Sequence, residues 1–278
     1  MNTPALIEVP ALFAQIGSCV VVDCRFRLND RDFGKRSYVQ GHIPSALYAD
    51  LENDLSGPKG EVGGRHPLPS AEAFAAFLSR LGVGPETLVV AYDDQGEMAA
   101  RLWWLLRYFG HERVSVLQGG IAAWESAGYA LVTGAQAPAP KAALRVLQPQ
   151  ADWLATREDV QRSMKLAKDG QWLVDSRAAV RYRGEHEPID RRAGHIPGAH
   201  CYFWEQALSS PAHYKSPEQL REHFAQLDSR PIIYCGSGVT ACVNVLALYL
   251  IDVQARLYAG SWSDWCADDN NPVAVGDL

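Results

Sequence analysis

The chain has 278 residues, of which 47% are hydrophobic and 21% charged, and its formal net charge is −6. That length suits two ordinary domains with their own cores, and the negative balance argues against a nucleic-acid footprint. No apolar run reaches the roughly 18 residues of a membrane helix, and the start MNTPALIEVPALF lacks the marks of a secretory signal, so a cytoplasmic address without membrane contact is expected.

In chain order, Val21-Val22-Asp23-Cys24-Arg25 reads as an apolar strand ending on an Asp and an Arg. Gly41-His42-Ile43-Pro44-Ser45-Ala46 is a glycine and proline turn around a histidine. Leu88 to Tyr92 reads as a second strand, which leads through Asp93-Asp94-Gln95-Gly96-Glu97 into an apolar helix from Ala99 to Phe109. Val116-Leu117-Gln118-Gly119 and Trp124 follow, and the small, proline-bearing stretch from Gly134 to Lys141 reads as a linker.

The chain then repeats itself. Leu173-Val174-Asp175-Ser176-Arg177 restates the first strand at an offset of 152, and Gly194-His195-Ile196-Pro197-Gly198-Ala199 restates the turn at 153. Pro231-Ile232-Ile233-Tyr234 and an apolar helix over CVNVLALYL restate the second strand and helix at 142, and Leu257-Tyr258-Ala259-Gly260 with Trp265 completes the set. Four blocks in one order predict two homologous α/β domains, 1–135 and 149–278, joined by a linker over 136–148. Short apolar runs alternating with helical patterns predict a mainly parallel sheet flanked by helices in each. The Asp and Arg at the strand ends (Asp23, Arg25, Asp175, Arg177) and the turn histidines (His42, His195) read as structural ties.

Six cysteines and eight histidines show neither disulfide nor metal-ligand spacing, so neither a metal nor another cofactor is expected. One cysteine stands apart. Cys235 sits where a buried strand meets the loop Gly236-Ser237-Gly238-Val239-Thr240 and the following helix, at the carboxyl end of a parallel strand where ligands bind in such sheets. A tight loop opening a helix turns its amides toward a common centre, and the thiolate of Cys235 is an anion that could occupy it and act as a nucleophile. The first copy has Asp93 at the same place, so only the second half carries a nucleophile. A cysteine-dependent phosphatase would need an arginine six positions after the cysteine, and here that position is Ala241. Ser237 and Thr240 add hydroxyls near the sulfur or cap the helix.

Two such repeats with a cysteine only in the second resemble the tandem-domain rhodanese family of sulfurtransferases over nearly the whole chain, and CGSGVTAC is similar to the loop of its 3-mercaptopyruvate-using members. The resemblance implies that Cys235 takes sulfur from a small-molecule donor, forms a persulfide and passes the sulfur to a thiol, cyanide or a thioredoxin-like protein. The same resemblance leaves a thiosulfate:cyanide sulfurtransferase and a persulfide-carrying protein as alternatives. It implies that Arg181, leading Arg181-Tyr182-Arg183-Gly184-Glu185-His186-Glu187-Pro188, binds the donor, while the loop's own amides, at Gly236, Gly238, Val239 and Thr240, are expected to bind the substrate sulfur. Ile189-Asp190 depart from the pattern, in which a second arginine follows the Glu-Pro pair, and Arg191 is the residue expected to supply it. His66, in Arg65-His66-Pro67-Leu68-Pro69, is implied as a first-domain histidine facing Ser237, with Asp50 or Glu52 as its acidic partner and Asp50 carried forward. A monomer is expected, since pairing of the two domains already covers one face of each.

Overall fold

The structure, a computed structural model, describes residues 3–136, 141–166, 172–227 and 230–277. The linker expected over 136–148 lies in part on 137–140, outside the described residues. The chain divides into two units. The first comprises Met1–Gly57, Pro69–Gln150 and Ser210–Tyr214, and the second Pro58–Leu68, Ala151–Ser209 and Lys215–Leu278. The second thus includes a segment from the first half of the sequence, and that segment carries His66.

The first unit is built on a five-stranded sheet in the order Leu6–Ile7, Val114–Leu117, Val89–Tyr92, Val20–Asp23, Leu47–Tyr48. Every pairing is parallel, with Val20 opposite Val89 and Asp23 opposite Tyr92. The central strand Val89–Tyr92 is buried along its whole length, as a strand covered on both faces must be. The helix Glu97–Tyr108 is apolar on nearly all sides and correspondingly buried, with Trp103 and Trp104 fully enclosed.

The second unit repeats the plan with four strands, Arg256–Leu257, Ile232–Tyr234, Leu173–Asp175 and Ala199–Cys201, again all parallel. Tyr234 lies opposite Asp175, and Asp175 opposite Cys201. A single parallel bridge from Leu154 to Leu257 stands where the first sheet has its outer strand. The helix Ala241–Tyr249 is buried from Ala241 through Leu248.

The strand-end ties take the same form in both units. Arg25 bonds Asp23 through Nε and Nη2 and reaches Gly41 O at 2.7 Å, and Arg177 bonds Asp175 likewise and reaches Gly194 O at 2.6 Å. The turn histidines stack on tyrosines, His42 on Tyr38 at 4.1 Å and His195 on Tyr182 at 3.8 Å between ring centroids. Each ring also bonds the carbonyl of the tyrosine it covers. A buried carboxylate beside a guanidinium is tolerated because each satisfies the other's hydrogen bonds, so these residues fix loop to strand. No helix among the described residues is long and apolar enough to cross a membrane.

Candidate active site

Cys235 follows directly on the buried strand Ile232–Tyr234 and is itself only 2% exposed. Its backbone is held from one side. Cys235 N donates to Ser261 Oγ at 3.1 Å, Cys235 O accepts from Trp262 N at 2.9 Å, and Gly236 O accepts from Ser263 N at 2.9 Å. The loop then turns through Gly238, whose φ is +76° and where an added Cβ would lie 2.3 Å from Ala259 O. Only glycine fits there. The helix Ala241–Tyr249 begins three residues on, and Thr240 makes no side-chain cap. Among the described residues, the N–H groups of Gly236, Val239 and Thr240 make no hydrogen bond.

The first unit shows what this loop geometry favours. Asp93 occupies the place of Cys235: its carbonyl accepts from Ile121 N at 3.0 Å, as that of Cys235 accepts from Trp262 N. Its carboxylate fills the loop. Oδ1 accepts from Gln95 N and Gly96 N, and Oδ2 from Met98 N and Ala99 N at 2.7 and 2.9 Å. By the same alignment the corresponding amides of the second unit belong to Ser237, Gly238, Thr240 and Ala241. One backbone plan therefore encloses a carboxylate in one copy and opens on a cysteine in the other, and amides converging at a helix start suit an anion in both.

His66 reaches this loop on the segment Pro58–Leu68. Gly63 N donates to Asp264 Oδ1 at 2.8 Å and Arg65 N to Ser263 Oγ at 3.0 Å, which fixes the segment beside the helix Ser261–Trp265. Asp264 is itself anchored by Arg157 at 2.7 Å. Its carboxyl is held below the usual range by the hydrogen bonds of Arg157 and Tyr258, which outweigh the opposing effect of burial. Gly64, with φ +73°, passes so close that a Cβ would lie 2.4 Å from Gly260 O. His66 Nδ1 then stands 2.8 Å from Ser237 Oγ, with both residues buried. Read as a first-domain residue in the sequence, the histidine belongs structurally to the unit that carries Cys235.

Arg181 bonds Glu187 through Nε and Nη2 and Asp190 through Nη2, at 3.1, 2.8 and 3.0 Å. Its guanidinium lies beside the loop, 3.5 Å from where a Cβ on Gly236 would stand. Arg191 does not join it. Its side chain is 55% exposed and turned to Asp269 at 2.6 Å and to Ala267 O, so the expected second arginine is not there. The guanidinium that does approach Gly236 is that of Arg65, which also pairs with Asp190. Arg65, Asp190 and Arg191 all line a cavity of about 310 Å³ whose wall does not include Cys235. Nothing in the sequence marks Arg65, since an arginine before His66 in a long irregular stretch has the pattern of a surface charge. Asp50 belongs to the first unit, where Oδ1 accepts from Glu52 N, Asn53 N and Asn53 Nδ2 and so braces its own turn.

The family model described as Rhodanese-like domain matches residues 9–127 and again 156–268. The chain belongs to this family. A relative from Pseudomonas aeruginosa, named a probable 3-mercaptopyruvate sulfurtransferase, is 45% identical over the whole of both chains. The mitochondrial thiosulfate/3-mercaptopyruvate sulfurtransferase 1 of Arabidopsis thaliana is 34% identical over 86% of this chain and 69% of its own. Among solved structures, that of the 3-mercaptopyruvate sulfotransferase SseA from Escherichia coli superposes with a TM-score of 0.81 at 32% identity, covering 94% of this chain and all of that one.

Proposed function

We propose that the protein moves sulfur from 3-mercaptopyruvate, through a persulfide on Cys235, to a thiol acceptor or cyanide. The observation that carries this reading is the hydrogen-bonded pair Ser237 and His66 two residues from the cysteine. Mercaptopyruvate has a ketone next to the carbon that loses sulfur, and thiosulfate has none. A hydroxyl backed by an imidazole suits a ketone that must accept charge.

In the proposed reaction the Cys235 thiolate attacks the donor sulfur. A new S–S bond forms, the donor C–S bond breaks, and its electron pair passes to carbon as the enolate of pyruvate. The Ser237 hydroxyl donates to the developing enolate oxygen, and the donor's own thiol proton ends on carbon to give pyruvate. The loop amides face the negative charge that the persulfide carries. An acceptor thiolate then attacks the outer sulfur, takes it, and returns Cys235 to the thiolate. Arg181 binds the donor carboxylate, for which its planar fork is suited. Asp93 fills the corresponding loop of the first unit, which leaves that unit without a nucleophile.

The deciding experiment is steady-state kinetics with both donors, together with mass spectrometry after donor treatment. A higher kcat/KM for mercaptopyruvate than for thiosulfate plus cyanide, with the mass of one sulfur atom added at Cys235, is expected. Preference for thiosulfate would overturn the donor assignment, and an unmodified Cys235 would overturn the mechanism.

A further inference from the structure

Beside the loop of Cys235 the charged side chains form an alternating row. Asp175 pairs with Arg177 at 2.6 Å, Arg177 with Glu187 at 3.2 Å, Glu187 with Arg181 at 2.8 Å, and Arg181 with Asp190 at 3.0 Å. Asp190 completes the row with Arg65. Three carboxylates and three guanidiniums balance, which is what allows Asp175, Arg177, Glu187 and Asp190 to be almost fully enclosed. The last two arginines of the row, Arg181 and Arg65, keep unused donors. Arg65 Nε is buried with no hydrogen-bond partner among the described residues. Arg65 Nη2 and Arg181 Nη1 likewise make no hydrogen bond there.

These two nitrogens converge on one place. Arg65 Nη2 lies 3.0 Å, and Arg181 Nη1 3.5 Å, from the position a Cβ on Gly236 would take. Gly236 has no positive φ that would demand glycine, so the missing side chain serves the guanidiniums rather than the backbone. Next to the nucleophilic cysteine, two guanidinium edges with unused donors therefore come together over the backbone of Gly236. A carboxylate is the ligand whose two oxygens would meet both edges.

We infer that Arg65 is the second arginine that binds the carboxylate of the sulfur donor, and that Asp190 is the positioning residue that holds it over Gly236. The inference rests on the mercaptopyruvate reading and deepens it. Asp190 carries the bond to both arginines, so it sets the spacing between them. Arg191, the neighbour in sequence, faces Asp269 and takes no part.

The test compares wild type, Arg65→Gln and Arg191→Gln with two donors: 3-mercaptopyruvate, and 1-mercaptopropan-2-one, which has a methyl group where the carboxylate would be. Arg65→Gln should lower kcat/KM for mercaptopyruvate by about 10- to 100-fold, the size of one charge-assisted contact. The loss should fall mainly in KM, inhibition by pyruvate should weaken by a similar factor, and the neutral ketone should react at the wild-type rate. Arg191→Gln should stay within about twofold of wild type. Should Arg65→Gln fail to fold, Arg65→Lys decides the matter: it keeps the charge without the fork and should lose about five- to tenfold. An Arg65 variant that binds mercaptopyruvate and pyruvate like wild type, or a loss equal for both donors, overturns this inference. Wild type that prefers thiosulfate overturns the donor reading instead, so the two failures remain distinct.

Discussion

His66 Nδ1 lies 2.8 Å from Ser237 Oγ, although 171 residues separate them in sequence. Neither residue has chemistry of its own that would serve a sulfur transfer; as a pair they form a hydroxyl whose proton can be shared. If the pair assists the departure of the pyruvate enolate, His66→Ala and Ser237→Ala should each lower kcat with mercaptopyruvate by about 100-fold. Turnover of thiosulfate should change by less than about threefold. The double variant should lose little more than either single one, since the two act as a unit. Unchanged kcat in a folded His66→Ala protein would remove the pair from the mechanism.

Arg177 should be the most costly single charge to remove. Its side chain is 1% exposed, bonds Asp175 and Glu187, reaches Gly194 O, and lies over the Trp262 ring at 4.7 Å. Arg177→Met leaves the buried carboxylate of Asp175 without a cation and Glu187 with Arg181 alone, and a destabilisation of about 3–5 kcal/mol is expected. Urea unfolding followed by tryptophan fluorescence measures it. A midpoint that does not move would mean that the carboxylates protonate or find other partners.

Much of this was legible in the sequence, for physical reasons that differ from residue to residue. Cys235, Asp93 and the strand-end ties could be read because duplication wrote the same local physics twice, and the differences between copies then stood out. The apolar stretch CVNVLALYL lies within a residue of the helix Ala241–Tyr249 because an unbroken apolar stretch of that length has one economical home in such a fold. Arg65 could not be read. Its place depends on Gly63 and Gly64 closing against Asp264 and Gly260, contacts some 200 residues apart that no local pattern encodes. Arg191 failed for the complementary reason: nearness in sequence to Asp190 says little about direction in an irregular segment, and its side chain turns outward to Asp269.

The first unit should show a pH-dependent stability that the second lacks at the equivalent position. Glu97 is buried, its Oε2 has no hydrogen-bond partner among the described residues, and burial followed by the charge of Asp93 pushes its carboxyl up to about 8. Asp93 is also pushed up by burial, against the pull of the amides around it. In the unfolded chain Glu97 ionises at about 4.3. Between about pH 4.5 and 8 the unfolded chain therefore binds fewer protons than the folded one, and stability must fall as pH rises through that window. Glu97→Gln should flatten the decline, raising stability at pH 8 relative to wild type by on the order of 1–3 kcal/mol. Denaturant midpoints at pH 5 and pH 8 test it, and parallel profiles for the two proteins would contradict it.

The two glycines flanking Ser237 separate folding from function. At Gly238 an added Cβ meets the backbone oxygen of Ala259 at 2.3 Å with φ at +76°, so neither atom can yield without moving the chain. Gly238→Ala should cost about 2 kcal/mol or more and disturb the loop as a whole. At Gly236 the nearest atom is the end of the Arg65 side chain at 3.0 Å, which can swing aside, and the backbone conformation is one that alanine accepts. Gly236→Ala should therefore unfold within about 0.5 kcal/mol of wild type. Its Cβ nevertheless takes the space between the two guanidiniums, so KM for mercaptopyruvate should rise by about tenfold or more, one charge-assisted contact being lost. Chemical loading of Cys235 by polysulfide, a donor without a carboxylate, should persist. If Gly236→Ala lost stability as Gly238→Ala does, the glycine would be there for the backbone. The space beside Cys235 would then have no claim to be a carboxylate site.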